Sequence, residues 1–235
     1  RIPVFAEAGI KQVICGPMTH APDAGILIGP AAGLRNFWNC CGSSVGITQG
    51  PGAGKYLAQW MVQGEPEIDV RGMDSRRFGD WAMGTYAVDR SLDEYHHMFQ
   101  VNLPGHQLAA GRPVRTTPIY DKLAARGAVF AEVFGWEQPK WFAANGVEEE
   151  HSFRRSNWFE PVAEETKAVR ERVGVMDMSA FSKFEVSGTG SATFLDRVIA
   201  NRVPQKDGSI VLAHALTERG SIECEFTVTR LAENR

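Results

Sequence analysis

The stretch SFRRSNWFEPVAEETKAVRERVGVMDMSAFSKFEVSGTG, residues 152–190, decides the fold. Its apolar residues recur near helical spacing, at Phe159, Val162, Val169 and Val173, and charged residues fill the other faces. This pattern predicts an amphipathic helix. Pro161 suits the first turn of that helix, because a proline's missing N–H costs nothing there.

The sequence period changes after Gly174. Residues 183–186, KFEV, alternate polar and apolar side chains as in a half-buried strand, and Gly188 and Gly190 predict a turn after it. The next helix is predicted by the apolar stripe Phe194, Leu195, Val198 and Ile199. Helix, strand and helix in this order indicate that a second module starts here.

Five motifs around this stretch carry a resemblance to known proteins. They are GWEQPKWF (135–142), RRSNWFEP (154–161), GVMDMS (174–179), FEVSG (184–188) and Phe194-Leu195. The last three resemble the start of the folate-binding aminomethyltransferase domain, the domain of the glycine-cleavage T-protein. The first two are similar to motifs of the dimethylglycine and sarcosine dehydrogenase family, in which a flavin amine-oxidase domain is fused to that folate domain.

The resemblance implies an α+β fold in three parts. Residues 1–66 would be the C-terminal piece of a D-amino-acid-oxidase-like FAD domain, residues 67–125 a small linker or central domain, and residues 126–235 the N-terminal part of the folate domain. Further motifs that carry it are GPMTHAPD (16–23), GSSVGI (42–47) and GRPVRTTPIY (111–120). Because the chain opens without Met and closes just after a predicted strand, we expect an internal fragment that is inactive alone.

Local patterns predict further elements in the first two parts. Residues 12–15 and 36–41 are typical of strands, and residues 22–25, PDAG, of a turn. A helix is predicted from about Gly52 to Gly64, with Leu57, Trp60 and Met61 on one face. A short helix is expected over residues 120–126.

Composition and charge exclude several classes of protein. A net charge of -3 gives no electrostatic reason to expect nucleic acid or an anionic membrane as a partner. No apolar run approaches the length of a membrane span. The four cysteines include no C-x-x-C spacing, which favours reduced thiols. Adjacent His96 and His97 diverge on a helix or a strand, so no metal site is predicted. Three tryptophans are expected to pack at a domain joint rather than to stack on bases: Trp136, Trp141 and Trp158.

The glycine-rich stretch 42–54 is a candidate cofactor site. It is not a Walker A loop, because Gln49 and Tyr56 stand where Gly and Ser or Thr are required, and no G-x-G-x-x-G opens a helix. Its glycines let the backbone pass close to a planar ring, although a flexible helix-entry loop is the alternative. In the resembling family this loop covers the flavin ring, which implies lining by Ser44, Val45, Gly46, Ile47, Thr48 and Gln49. Gln49 departs from the dimethylglycine enzymes, which tend to carry His there.

Residues 221–230, SIECEFTVTR, predict a strand with Ile222, Cys224, Phe226 and Val228 on one face. The pattern alone favours an amphipathic surface strand with solvated glutamates. The resemblance instead implies that Glu225 holds the position of the carboxylate that lies against tetrahydrofolate, with Phe226 and Thr227 beside it. The usual residue in T-proteins is Asp, so Glu225 is a departure.

The resemblance implies a flavin-dependent dehydrogenase that demethylates dimethylglycine or sarcosine. FAD would take a hydride equivalent, and tetrahydrofolate would collect the one-carbon unit. The implied partners are an N-methylated glycine and an electron-transfer flavoprotein as electron acceptor, in the cytoplasm of a bacterium or the mitochondrial matrix of a eukaryote. Two alternatives stay open: a regulatory subunit of the pyruvate dehydrogenase phosphatase type, and a stand-alone folate aminomethyltransferase, in which residues 1–66 have no place.

Overall fold

The computed structural model describes residues 2–144 and 146–235, which divide into two compact units. The first unit extends to Ala180 and the second covers Phe181–Arg235. Helices and short sheets are mixed, which confirms the α+β fold class. The elements of the first unit, in chain order, are β1 (Leu27–Pro30), β2 (Trp38–Cys41), α1 (Gly46–Gln63), α2 (Thr85–His97), α3 (Tyr120–Ala124), β3 (Ala128–Val133), β4 (Trp136–Phe142) and α4 (Phe159–Glu171). Those of the second unit are α5 (Ser191–Val198), β5 (Ile210–Leu216) and β6 (Ile222–Thr229).

The β1–β2 hairpin packs against helix α1. β1 pairs antiparallel with β2, with Ile28 opposite Cys40. Ile28 is fully buried in a core whose members are Ile26, Ile28, Ala53 and Val70, with Tyr56 and Trp60 packed against it. Gly29 has φ +109°, and an added Cβ would lie 2.5 Å from the Trp60 ring. Only glycine therefore allows the helix to approach this strand so closely.

Most of the predicted elements of the first unit are confirmed. The turn at residues 22–25 is closed by Gly25 N–H, which donates to Asp23 Oδ1 at 3.0 Å. Helix α1 ends as predicted at Gly64, whose φ is +84° and whose N–H donates to the Trp60 carbonyl. The amphipathic helix α4 forms over Phe159–Glu171, and the predicted strand 36–41 forms as the shorter β2.

Three sequence-based predictions are wrong. Residues 12–15 are not a strand: Val13 and Ile14 are 80% and 84% exposed, and no strand is assigned there. Residues 183–186 also lie outside the strands, and Phe184 is 90% exposed. Alternating sequence makes a strand only beside another strand that accepts its hydrogen bonds, and neither stretch belongs to a described sheet. Helix α1 begins at Gly46, not near Gly52.

The β3–β4 hairpin carries the largest fully buried side chain of the described residues, Trp141, at 1% exposure. Beside it, Glu137 is 2% exposed and accepts two hydrogen bonds from the Arg112 guanidinium, at 2.9 and 2.6 Å. These bonds raise the pKa of Arg112 above its ordinary value. The Trp136 ring centroid lies 4.1 Å from the Arg115 guanidinium carbon, and packing of the three tryptophans at a domain joint stays a prediction.

The second unit is a helix against a hairpin. β5 and β6 pair antiparallel, and α5 follows the turn at Gly188 and Gly190 as the sequence predicts. The core consists of Ile199, Val203, Ala213 and Val228, with Leu195 and Phe226 packed against it. The hairpin therefore has one covered face and one open face, and the open face bears the polar side chains considered next.

Candidate functional site

The segment Ser44–Gln49 forms the entrance and first turn of helix α1, not a free loop. Val45 is the N-cap residue, and no side chain caps the helix. The Thr48 and Gln49 N–H groups both donate to the Val45 carbonyl, at 3.0 and 3.1 Å. The first N–H groups of a helix point along its axis and carry a partial positive charge, so this end can receive an electron-rich acceptor.

The glycines of this segment leave open space along the helix. A Cβ added at Gly46, Gly50 or Gly54 meets no atom within 4 Å. These positions are four residues apart and therefore share one face of α1. Ile47 next to them is 98% exposed. A flat face of bare backbone beside free N–H groups fits the edge of a planar flavin ring.

The Gln49 side chain contacts the start of the same turn. Its side-chain carbonyl accepts a hydrogen bond from Ser43 Oγ. This contact joins Gln49 to the residue that directly precedes the segment. The six residues from Ser44 to Gln49 are contiguous in space as well as in sequence, and their role toward a flavin stays a prediction.

The open face of the β5–β6 hairpin, formed by Leu212, His214, Glu225 and Thr227, is the second candidate site; we call it the outer face. His214 is in register with Glu225, and Leu212 with Thr227. His214 Nε2 lies 2.8 Å from Glu225 Oε2. The two side chains are 30% and 57% exposed. Within the described residues Glu225 Oε1 has no hydrogen-bond partner, so this oxygen is open to a ligand.

The structure revises the place of Phe226. Its ring packs against the core of the second unit, on the face opposite Glu225, because side chains alternate along a strand. A side-chain contact of Phe226 with a ligand beside Glu225 is therefore not supported, and Phe226 supports the strand instead. Thr227 shares the outer face with Glu225, as predicted from its spacing.

The predicted apolar face of β6 is only half formed. Phe226 and Val228 pack inward, but Ile222 is 54% exposed and Cys224 is exposed. The register shifts between Ala215 and Leu216, so that Glu223 is left without an opposite residue. A bulge of this kind changes the phase of alternation and is common next to functional sites.

His214 is the residue of this face that the sequence interpretation missed. A signal was present, since the run Val211-Leu212-Ala213-His214-Ala215-Leu216 is apolar except for His214 and only four residues separate it from Ser221. A hairpin with a short connection would have placed His214 near Glu225. That placement depends on the register between two strands, which the pattern of one strand does not contain.

A polar cavity in the first unit is lined by charged residues that are paired with one another. In the first unit a cavity of about 360 Å³ is lined by Arg77, Arg90 and Glu132, among others. Arg77 binds both oxygens of Asp23, and Arg90 binds Glu132 at 2.7 Å. Because these charged groups form ion pairs with one another, we assign them no ligand.

Three further findings concern metal ligands, helix length and the cysteines. Across residues 2–144 and 146–235, no three His, Cys, Asp or Glu side chains are grouped so as to hold a metal ion. In the same residues, every helix is too short or too polar to span a bilayer. All four cysteines are free thiols at exposed positions.

Comparison with known proteins gives the family context of the chain. The GCVT N-terminal domain profile matches residues 119–235, and the profile of the FAD dependent oxidoreductase central domain matches residues 63–117. Mouse mitochondrial dimethylglycine dehydrogenase is 39% identical over 97% of this chain and 26% of its own length. Human mitochondrial sarcosine dehydrogenase is 34% identical over 99% of this chain and 28% of its own. The mouse pyruvate dehydrogenase phosphatase regulatory subunit is 32% identical over 99% and 28%.

These matches describe a chain that joins the central domain of an FAD-dependent oxidoreductase to the N-terminal part of a folate-binding aminomethyltransferase domain. The chain belongs to the dimethylglycine and sarcosine dehydrogenase family, and it spans about a quarter of the length of the curated relatives that it matches. FAD and tetrahydrofolate are the cofactors of this family. The bare helix end of α1 fits the first, and the open carboxylate oxygen of Glu225 fits the second.

Proposed function

We propose that the chain is part of a flavin-dependent dehydrogenase that demethylates an N-methylated glycine, dimethylglycine or sarcosine, and passes the one-carbon unit to tetrahydrofolate. The observation that carries the proposal is the Glu225 carboxylate, which lies on an open face within the segment that matches the GCVT profile.

The reaction balance defines what the outer face must do. FAD, when bound, takes a hydride equivalent from an N-methyl group and leaves an iminium, R₂N⁺=CH₂. Two N–H nitrogens of tetrahydrofolate then each form a bond to that carbon, and the carbon–amine bond breaks. The two folate protons end on the leaving amine, as R₂NH₂⁺, so atoms and charge balance. A group beside the folate nitrogens that accepts a proton and passes it to the leaving amine would assist this transfer.

Glu225 suits that role for two reasons. A carboxylate accepts a proton from a weakly basic nitrogen only when it is held within hydrogen-bond reach, which a strand position allows. Its negative charge also stabilises the cationic iminium before the carbon is captured. Thr227, on the same face, is proposed to contact the folate beside it.

The segment Ser44–Gln49 is proposed to line the flavin. The unpartnered N–H groups at the start of α1 favour an electron-rich edge of the ring, and the open position of Gly46 permits close approach. The compartment proposed is the mitochondrial matrix or a bacterial cytoplasm, and the electron acceptor an electron-transfer flavoprotein.

A second candidate function is regulatory. The pyruvate dehydrogenase phosphatase regulatory subunit aligns with as much of this chain as the dehydrogenases do, so the architecture alone does not require turnover. A stand-alone folate aminomethyltransferase leaves the match at residues 63–117 without a place. The outer-face carboxylate favours the dehydrogenase.

The test replaces Glu225 by Gln in the full-length protein and follows both half-reactions. We expect amine-dependent dye reduction at the parental rate, and capture of the one-carbon unit as methylenetetrahydrofolate slowed by about 100-fold, as for loss of a general base. Glu223→Gln, in the neighbouring bulge, is the matched control and should capture at the parental rate. Capture by Glu225→Gln at the parental rate would overturn the role of Glu225.

A further inference from the structure

The pairing of His214 with Glu225 is more constrained than an ordinary surface ion pair. Surface pairs contribute little because two long side chains must be ordered in water. Here the two residues are opposite each other on adjacent strands, and the short imidazole reaches the carboxylate at 2.8 Å. The arrangement orders only one long side chain, that of Glu225.

The backbone of His214 is held on both sides. Its N–H donates to Asn201 Oδ1 at 3.1 Å, and its carbonyl accepts from the Ala200 N–H at 2.8 Å. The preceding residue, Ala213, is fully buried in the core. His214 is therefore a fixed point on the outer face, whereas Glu225 is 57% exposed and would otherwise sample several rotamers.

We propose that His214 is a positioning residue for the Glu225 carboxylate; this inference rests on the proposed function. In it, Nε2–H donates to Oε2, and the fixed imidazole holds Oε1 toward the folate nitrogens. Oε1 is the oxygen that accepts the folate proton, since Oε2 is already engaged. The role requires a hydrogen-bond donor at the place of Nε2 and does not require the imidazole to touch the folate.

Positioning of this kind has a measurable consequence. Loss of a hydrogen bond to a charged group, when it frees the side chain, slows the reaction on the order of 10- to 100-fold. His214→Leu removes the donor, whereas His214→Gln keeps an amide N–H at nearly the same reach. His96→Leu, an exposed histidine of the first unit, is the control for histidine removal.

The experiment uses the full-length protein, with rates of amine-dependent dye reduction and of methylenetetrahydrofolate formation and with the Kd for tetrahydrofolate. We expect His214→Leu to slow capture about 10- to 100-fold. Dye reduction should be unchanged and the Kd should move less than about 3-fold, because only a positioning bond is lost. His214→Gln should recover most of the capture rate. The double variant with Glu225→Gln should be no slower than Glu225→Gln alone, because His214 acts through Glu225.

A readout independent of turnover is the ¹⁵N spectrum of histidine-labelled protein. The His214 resonances, identified by their loss in His214→Leu, should shift in Glu225→Ala; no shift would overturn the hydrogen bond. Parental capture by His214→Leu alongside slow capture by Glu225→Gln overturns the positioning role alone. Parental capture by Glu225→Gln overturns the proposed function instead. Slow capture by His214→Gln, or additive loss in the double variant, also overturns the inference.

Discussion

At the scale of single residues, Tyr86 shows how burial and a neighbouring charge act together. Its side chain is 7% exposed, and its hydroxyl donates to Glu132 Oε1 at 3.1 Å. Burial first, and then the negative charge of Glu132, raise the pKa of Tyr86 to about 12. Both causes favour the neutral phenol, so the folded state holds the Tyr86 proton more tightly than the unfolded chain does.

The sign of the resulting pH dependence follows from this pKa. Because the folded-state pKa exceeds the ordinary value of 10, the stabilisation is complete below about pH 10 and is lost as pH rises towards 12. We expect the thermal midpoint to fall over that range. Tyr86→Phe, which cannot ionise, should reduce the fall, whereas Tyr95→Phe, 50% exposed on the same helix, should leave it in place. An identical pH profile for Tyr86→Phe and the parent would contradict the assignment.

Residues of β5 and β6 differ in how far the sequence could predict their positions. The sequence predicted Glu225 because the family resemblance and the alternation of the strand both point to this residue. The structure places it on an open face. His214 was missed because its role depends on cross-strand register, which no local pattern of one strand contains. Phe226 was included for its adjacency to Glu225, although alternation along a strand sends it to the opposite face.

At the scale of elements, helix α1 shows where breaker residues mislead. The run of glycines predicted that the helix starts near Gly52, yet α1 begins at Gly46 and also contains Pro51. Pro51 removes only the hydrogen bond that Ile47 would accept, and Ile47 is 98% exposed, so water can take that place. The end of the helix was predictable because Gly64 must adopt φ +84° there, whereas its start has no side-chain cap.

For the strands, a prediction was right or wrong according to whether another strand lies beside the stretch. The stretches 12–15 and 183–186 have strand-like alternation, but no described strand lies beside them. The stretch 222–229 has the same alternation and forms β6, because β5 lies beside it. Helices α4 and α5 were predictable, since a helix satisfies its backbone within one segment.

The start of α1 also supports a prediction about the flavin. Gly46→Leu adds a side chain where a Cβ meets nothing within 4 Å, so helix stability should not suffer. If the flavin ring lies against this position, the side chain displaces it, and a displacement of about 1 Å can slow reaction by about 100-fold. We expect an altered flavin absorbance spectrum and flavin reduction by the amine slowed at least about 10-fold.

The matched control is Gly52→Leu, which lies on α1 but two residues from Gly50 and Gly54 and therefore away from their face, and where the added side chain also meets open space. It should keep the parental spectrum and rate. Circular dichroism and the thermal midpoint should be alike for both variants. A parental flavin spectrum and rate in Gly46→Leu would show that this segment does not line the flavin.

At the scale of the whole molecule, the two units carry different parts of the proposed chemistry. The proposed flavin segment lies in the first unit and the outer face in the second. The boundary of the matching profiles, between residues 117 and 119, differs from the boundary of the compact units at Ala180. A profile reflects ancestry and a compact unit reflects contacts, so the two need not coincide. The predicted boundaries at residues 66 and 125 stay predictions.

The choice between dehydrogenase and regulatory subunit belongs to this scale, because both share the architecture. The deciding experiment gives the full-length protein dimethylglycine or sarcosine, an artificial dye and tetrahydrofolate. We expect bound flavin, dye reduction by at least one of the two amines, and methylenetetrahydrofolate formed in step with the amine oxidised. Glycine, which has no N-methyl group, is the control and should reduce no dye. Bound flavin without oxidation of either amine would favour the regulatory function. Oxidation that releases only free formaldehyde would keep the flavin chemistry and remove the folate role, since Glu225 would then have no nitrogen to deprotonate.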